Sequence, residues 1–209
     1  MTEVLEGVLA ELLCARLCHD LAGAVGAVTA GAELLAEEGS ASPMAAEALD
    51  LMATSATSLA ARLRFLRLAV GPGNSGSGSQ ARELAIAYFL KGYPQGDWTL
   101  DWPLDPTAEL SADHAKLLLN LISLAQECLP RGGRIEVRPD SAEMVTARGA
   151  ANAQGEAVSG LKAMSFKGLT PRAAQGAYAG LLAARLGGNI DVRQGDGGVA
   201  LVVNWKNPS

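Results

Sequence analysis

The sequence predicts an α+β protein: an antiparallel helical hairpin over residues 1–70, then a layer of helices and strands over residues 80–209. Three observations predict it. Two long stretches repeat apolar residues at three- and four-residue steps, the period of an amphipathic helix. The glycine- and serine-rich run Gly71–Ser79 has the composition of a flexible linker. Beyond it, short strand-like runs alternate with helical ones.

The first helix is expected over Glu3–Glu38, with Leu13, Leu17, Leu21, Val25 (or Ala24), Val28, Ala32 and Leu35 as its buried stripe. Gly39-Ser-Ala-Ser-Pro43 breaks it. Ser42 then offers a cap and Pro43 a first helical position. The second helix runs from Pro43 to about Val70, with Leu49, Met52, Ala56, Leu59, Leu63, Leu66 and Val70 as its stripe. Two helices of similar length joined by a short turn form an antiparallel hairpin. Such a hairpin cannot bury both stripes alone. Pairing with a second copy into a four-helix bundle is the favoured remedy, and cover from the C-terminal half is the alternative.

After the linker, Gln80–Lys91 reads as a helix and Trp98–Pro103 as a strand ended by its proline. Ser111 caps an apolar helix through Leu129. The turn Pro130–Gly133 leads into a strand at Arg134–Arg138, with Met144–Ala147 as its hairpin partner. Thr170 and Pro171 open another helix, which Gly187 and Gly188 end. Ile190–Arg193 and Val199–Trp205 flank the turn Gly195-Asp-Gly-Gly198 as a second hairpin. The strands are read as antiparallel throughout.

Composition narrows the function. The net charge is −5 and no Lys/Arg-rich run occurs, so nucleic acid is not an expected partner. No apolar run approaches the roughly 18–20 residues of a membrane span. The acidic start of the chain (Glu3, Glu6, Glu11) does not read as a signal peptide. Cys14, Cys18 and Cys128 fit a reducing cytoplasm and read as small packing residues. Cys14-x-x-x-Cys18-His19 has neither the spacing of a haem attachment nor the second ligand pair of a zinc site.

The pair His19-Asp20 carries the most information. At about 100° per residue, His19 points away from Leu17 and Leu21. Its neighbours one turn away are Ala15, Arg16, Ala22 and Gly23, with Gly26 one turn further. Two glycines on a helix face cost about 0.8–1 kcal/mol each against alanine. Their presence beside an exposed imidazole suggests close approach by something large, such as another protein's surface. A plain surface histidine, with the glycines serving helix packing, is the competing interpretation. His114, in Asp113-His-Ala-Lys116, reads as a solvated residue near a helix start.

His19-Asp20-Leu21, Val25-Gly26-Ala27 and Gly31-x-Glu33-Leu34-Leu35 resemble the ChpT-type histidine phosphotransferases of bacterial phosphorelays. They look more loosely like the phosphoacceptor helix of sensor histidine kinases. Leu117–Ala125, Leu129–Val137, Leu169–Arg172 and Tyr178–Ala183 resemble that family's second domain, so the resemblance runs along nearly the whole chain. One departure is Ala24, where the pattern carries a proline. A bend there falls to Gly23 and Gly26 or is weaker.

The resemblance implies that His19 accepts a phosphoryl group from a receiver-domain aspartate and passes it to a second receiver. Histidine side chains ordinarily titrate near pH 6.5, so a neutral nucleophilic nitrogen is available near pH 7. The implied partners are a second copy of the chain, a hybrid kinase's receiver and response-regulator receivers, which bring their own Mg²⁺. Asp20 either orients the ring or is a solvated carboxylate. Arg16 either pairs with phosphate or covers apolar surface. Arg62 and Arg64, at the matching height on the second helix, are weaker candidates for the same roles.

The residues 80–209 layer resembles a degenerate histidine-kinase ATP-binding domain. The position expected to carry the Mg²⁺-binding Asn is Leu124, which supplies no oxygen ligand. No Asp-x-Gly-x-Gly segment lies between Val137 and Gly187, and Gly149–Gly155 supplies no acid. No ATP and no cofactor are therefore expected. An autophosphorylating kinase and a non-catalytic dimeric scaffold remain as the alternatives.

Overall fold

A computed structural model describes residues 2–39, 41–72, 77–94, 96–103, 110–163 and 165–205. Helix α1 spans Thr2–Glu38 and α2 spans Ala45–Val70, and they pack as the expected hairpin. Then follow α3 (Gly78–Leu90), β1 (Trp98–Asp101), α4 (Ala112–Glu127), β2 (Gly133–Val137) and β3 (Val145–Arg148). A one-turn helix α5 (Glu156–Ser159) and a 3-10 turn at Gly160–Lys162 come next, neither expected from the sequence. Helix α6 (Pro171–Arg185) and the hairpin of β4 (Gly188–Gly195) and β5 (Gly198–Trp205) complete the α+β fold.

The five strands form one sheet in the order β1-β2-β3-β5-β4. Three neighbouring pairs are antiparallel, but β1 and β2 are parallel, with Leu100 opposite Ile135. This corrects the all-antiparallel expectation. Helix α4 joins β1 to β2, and a helical crossover returns the chain to the end from which it started. Ile135, Val137, Val145, Ala147, Val199 and Leu201 turn inward onto α4 and its neighbours. Alternate residues carry ion pairs on the other face: Arg134–Asp101 at 2.6 Å and Arg148–Glu136 at 3.0 Å.

Local capping explains several helix starts. The side chains of Ser111 and Thr170 accept the backbone N–H groups of His114 and Ala173, as expected. Ser77 caps α3, so Gly78 and Ser79 belong to a helix rather than to the linker. Residues 73–76 of that run lie outside the described residues. Helix α2 begins two residues later than expected. The Ser42 hydroxyl accepts from the Met44 N–H at 3.2 Å, so it closes a turn instead of capping a helix.

The stripe expected on α2 is covered in part: Leu66 is buried and Met52, Leu59 and Val70 are half-buried, but Leu49, Ala56 and Leu63 are exposed. Leu49 is 56% and Leu63 52% exposed, while Ala45, Ala48, Ser55, Ser58, Ala61, Phe65, Leu66 and Ala69 are buried. Small residues line the closest approach of α1 and α2, while Phe65 and Leu66 nearer the end of α2 fill the core. Gly31 marks the tight contact: a Cβ there would sit 2.5 Å from Met52 Cγ. On α1, Leu13, Leu17, Leu21, Val28 and Leu35 are half-buried, but Ala32 is exposed and Val25 is 47% exposed, leaving Ala24 as the half-buried alternative.

The base of the hairpin is covered by the C-terminal half. Leu9, with Leu12 and Leu13, packs against Ala174 and Ala177 of α6. Phe65, Leu66 and Ala69 of α2 enter the main core beside α3 and α4. A buried amide seals this junction. Asn120 donates to the carbonyls of Ala69 and Lys116, each at 2.8 Å, and accepts from Gln175. Ser58 and Arg62 of α2 both donate to the Gly92 carbonyl, at 2.7 and 2.6 Å.

Candidate functional site

His19 lies midway along α1, above the covered base. Its side chain is 82% exposed. Nδ1 stands 3.3 Å from Asp20 Oδ1, and no hydrogen bond to Nε2 occurs among the described residues. Ala22, Gly23 and Gly26 are exposed around it. A Cβ added at Gly23 or Gly26 would meet nothing within 4 Å, so packing within this chain does not require either glycine.

Asp20 is far less exposed, at 17%, because it turns toward the C-terminal half. Its Oδ2 accepts from Arg16 Nε at 2.7 Å. Arg16, 13% exposed, donates through Nη2 to Glu127 Oε1 at the end of α4. Burial opposes the Arg16 charge. The hydrogen-bonded Glu127 and Asp20 carboxylates outweigh it and raise the guanidinium pKa above its ordinary value. Glu127 also faces Arg172 of α6, with Nε 3.4 Å from Oε2.

Arg62 supports the same point from α2. Its Nη1 donates to the Asp20 carbonyl at 2.9 Å, and its guanidinium carbon lies 3.9 Å from the centre of the Tyr93 ring. Tyr93 meets Trp98 on one side and Tyr88 on the other, and Tyr88 stacks on Phe65 at 4.0 Å. Burial, then the neighbouring Tyr93, pushes the Tyr88 phenol well above its usual range.

A polar cleft of about 390 Å³ opens beside these groups, lined by Arg16, Asp20, Tyr93, Trp98, Glu127 and Arg172 among others. The structure therefore brings together His19, Asp20, Arg16 and Arg62. It does not bring Arg64, which lines a separate cleft with Arg67, Pro72 and Gln80. Arg62 and Arg64 are two residues apart, about 200° around the helix, so only one can face α1.

Glu127, Arg172 and Tyr93 were not legible as site residues, because each reaches the site from a distant part of the chain. Glu127 is 111 residues from Arg16. The apolar helix ending in Gln126-Glu127 was visible, but nothing local marks what its last turn faces.

Other expectations need correction. Cys14 and Cys18 are exposed rather than packed. Cys128 is buried, and desolvation, with the nearby Glu127 charge, pushes its thiol up to about 11. His114 is not simply solvated: its Nδ1 lies 2.8 Å from the Ser111 hydroxyl and its ring 5.3 Å from that of Trp205. Leu124 is fully buried in the core. Among the described residues no three His, Cys, Asp or Glu side chains gather as a metal site, and no helix is long and apolar enough to cross a membrane.

The chain was compared with known proteins. The chain is 36% identical over 140 residues to the protein phosphotransferase ChpT of Brucella abortus (strain 2308), an alignment covering 65% of this chain and 62% of that protein. The chain thus spans less than two thirds of this curated relative. A solved structure described as a bacterial phosphotransferase superposes with a TM-score of 0.72 at 25% identity, covering 94% of this chain and 95% of the other. Residues 80–198 match the histidine phosphotransferase C-terminal domain. With more than half of its length matched, the chain belongs to the histidine phosphotransferase family.

Proposed function

We propose that this protein is a histidine phosphotransferase of a two-component phosphorelay, with His19 as its phosphoacceptor. The observation that carries the reading is the geometry of His19: an imidazole 82% exposed on an open, small-residue face, with Nδ1 beside Asp20. A carboxylate at Nδ1 favours the proton there and leaves the Nε2 lone pair free for attack. Nε2 attacks the phosphorus of a receiver's aspartyl phosphate in line. The N–P bond forms as the acyl O–P bond breaks, and the receiver carboxylate departs. The ring retains its Nδ1 proton and becomes cationic, and Asp20 stabilises that charge. The reverse reaction onto another receiver regenerates neutral His19. Positioning and charge neutralisation carry most of the catalysis in such transfers.

In this reading Arg16 orients Asp20 rather than binding phosphate, since both neighbouring carboxylates already occupy it. Ala22, Gly23 and Gly26 form the seat for the receiver. Arg62 braces the Asp20 backbone, and Arg64 lies apart. Mg²⁺ comes with the receiver, where it neutralises the acyl phosphate. Residues 1–70 act as the acceptor and dimerisation domain, and residues 80–209 as a degenerate ATP-binding-like domain without nucleotide. Two copies pair through the Leu49–Leu63 stripe into a four-helix bundle in the cytoplasm, and nucleic acid takes no part.

The test is transfer from a receiver carrying radioactive phosphate to wild-type protein and to His19→Ala. Acid-labile, base-stable label is expected on the wild type and none on the variant. No label with ATP alone separates this reading from an autophosphorylating kinase. Equal labelling of both proteins sinks the assignment of His19.

A further inference from the structure

We infer that Glu127 is a positioning residue for this site: by holding one arm of Arg16, it keeps an Asp20 oxygen available to orient the His19 ring. The inference rests on the reading of His19 as acceptor.

A guanidinium presents Nε–H and Nη2–H as a parallel fork, and its strongest partner is a single carboxylate that accepts both. Arg16 does not use its fork that way. Nε donates to Asp20 Oδ2 at 2.7 Å, while Nη2 donates to Glu127 Oε1. The fork is split between two carboxylates. Asp20 Oδ1 is therefore left for His19 Nδ1, at 3.3 Å. Arg172, 3.4 Å from the other Glu127 oxygen, holds Glu127 from the far side.

Removing the Glu127 carboxylate as an acceptor frees Nη2. The fork can then close on both Asp20 oxygens, and His19 loses its partner. Arg16, Asp20 and Glu127 are only 13%, 17% and 21% exposed, so water and salt screen them weakly. Glu127 belongs to α4 and Arg172 to α6, whereas Arg16, Asp20 and His19 lie on α1. The C-terminal half thus reaches the acceptor without touching it.

The test uses the full-length protein labelled with ¹⁵N-histidine. It contains two histidines, so His114 serves as the internal control and His19→Ala identifies the other signal. Wild-type His19 is expected to hold its proton on Nδ1 at pH 8. In Glu127→Ala, which leaves Nη2 no acceptor there, the proton should shift toward Nε2, with His114 unchanged. The maximal transfer rate from a phosphorylated receiver should fall about tenfold, the scale of one oriented charge-assisted hydrogen bond, at an unchanged half-saturating receiver concentration. Arg16→Lys, which keeps the charge but not the fork, should shift the same tautomer and leaves α4 intact should Glu127→Ala fold poorly. An unshifted tautomer in both variants, or a shifted one with an unchanged rate, overturns the inference. Labelling of His19→Ala would instead overturn the acceptor assignment, and the tautomer measurement does not depend on transfer.

Discussion

Glycine serves opposite ends on the two sides of α1. Gly31 faces α2, and any side chain there would strike Met52. Gly26 faces open space, and so does Gly23. A helical glycine without a packing reason lowers stability by about 0.8–1 kcal/mol relative to alanine. Gly26→Ala should therefore raise the unfolding free energy by up to about 1 kcal/mol, read by urea denaturation. Gly26→Leu should be similarly folded yet slow transfer at least about tenfold, because a large side chain would stand where the receiver is proposed to seat. Unimpaired transfer by Gly26→Leu would remove this face from the docking surface. The two substitutions separate a helix-propensity effect from a contact effect at one position.

Among the elements, α4 connects the most parts of the molecule. Its N-terminus is capped by Ser111, its middle carries the buried amide of Asn120, and its last residue is Glu127. Asn120 links α4 to the end of α2 through Ala69 and to α6 through Gln175. Asn120→Ala leaves the Gln175 amide and the Ala69 carbonyl without these partners inside the core. Such a loss costs about 2–3 kcal/mol. The midpoint of urea unfolding should drop accordingly, and an unchanged midpoint would show that the amide contributes nothing net. Gln175 and Asn120 are both 4% exposed or less, so water cannot readily replace the lost bond.

At the scale of the whole molecule, the hairpin is covered unevenly. Its base joins the C-terminal half through Leu9, Phe65, Leu66 and Ala69. Further along, Val25, Leu49, Leu51 and Leu63 are each at least 45% exposed. Leu49 and Leu63 share one face of α2, the face proposed above for pairing. If it is the dimer contact, Leu63→Glu places a charge in the pairing surface on each copy. Light scattering should then report a monomer while circular dichroism shows the helices retained. A dimer that survives both Leu63→Glu and Leu49→Glu would place the contact elsewhere. The proposed transfer should weaken less than the dimer does, since His19, Asp20, Arg16 and Glu127 all belong to one chain.

The sequence by itself determined the hairpin, the caps at Ser111 and Thr170, the β4–β5 turn and the exposure of His19. Each depends on residues within a few turns of one another, and periodicity and capping are local. It also placed Asp20 and Arg16 one turn from His19, because helix geometry fixes neighbours at three and four residues. Only the tertiary structure decided what those neighbours do. Arg16 faces Glu127 because α4 packs against the hairpin, and Arg62 rather than Arg64 reaches Asp20 because of how α2 is rotated against α1. The α2 stripe is covered only in part within one chain for a related reason. Period 3.6 identifies an apolar face but not its partner, and the small residues Ala48, Ser55 and Ser58 took the contact with the rest of the chain. The parallel pairing of β1 with β2 likewise followed from where α4 crosses, a long-range fact that no short window of sequence contains.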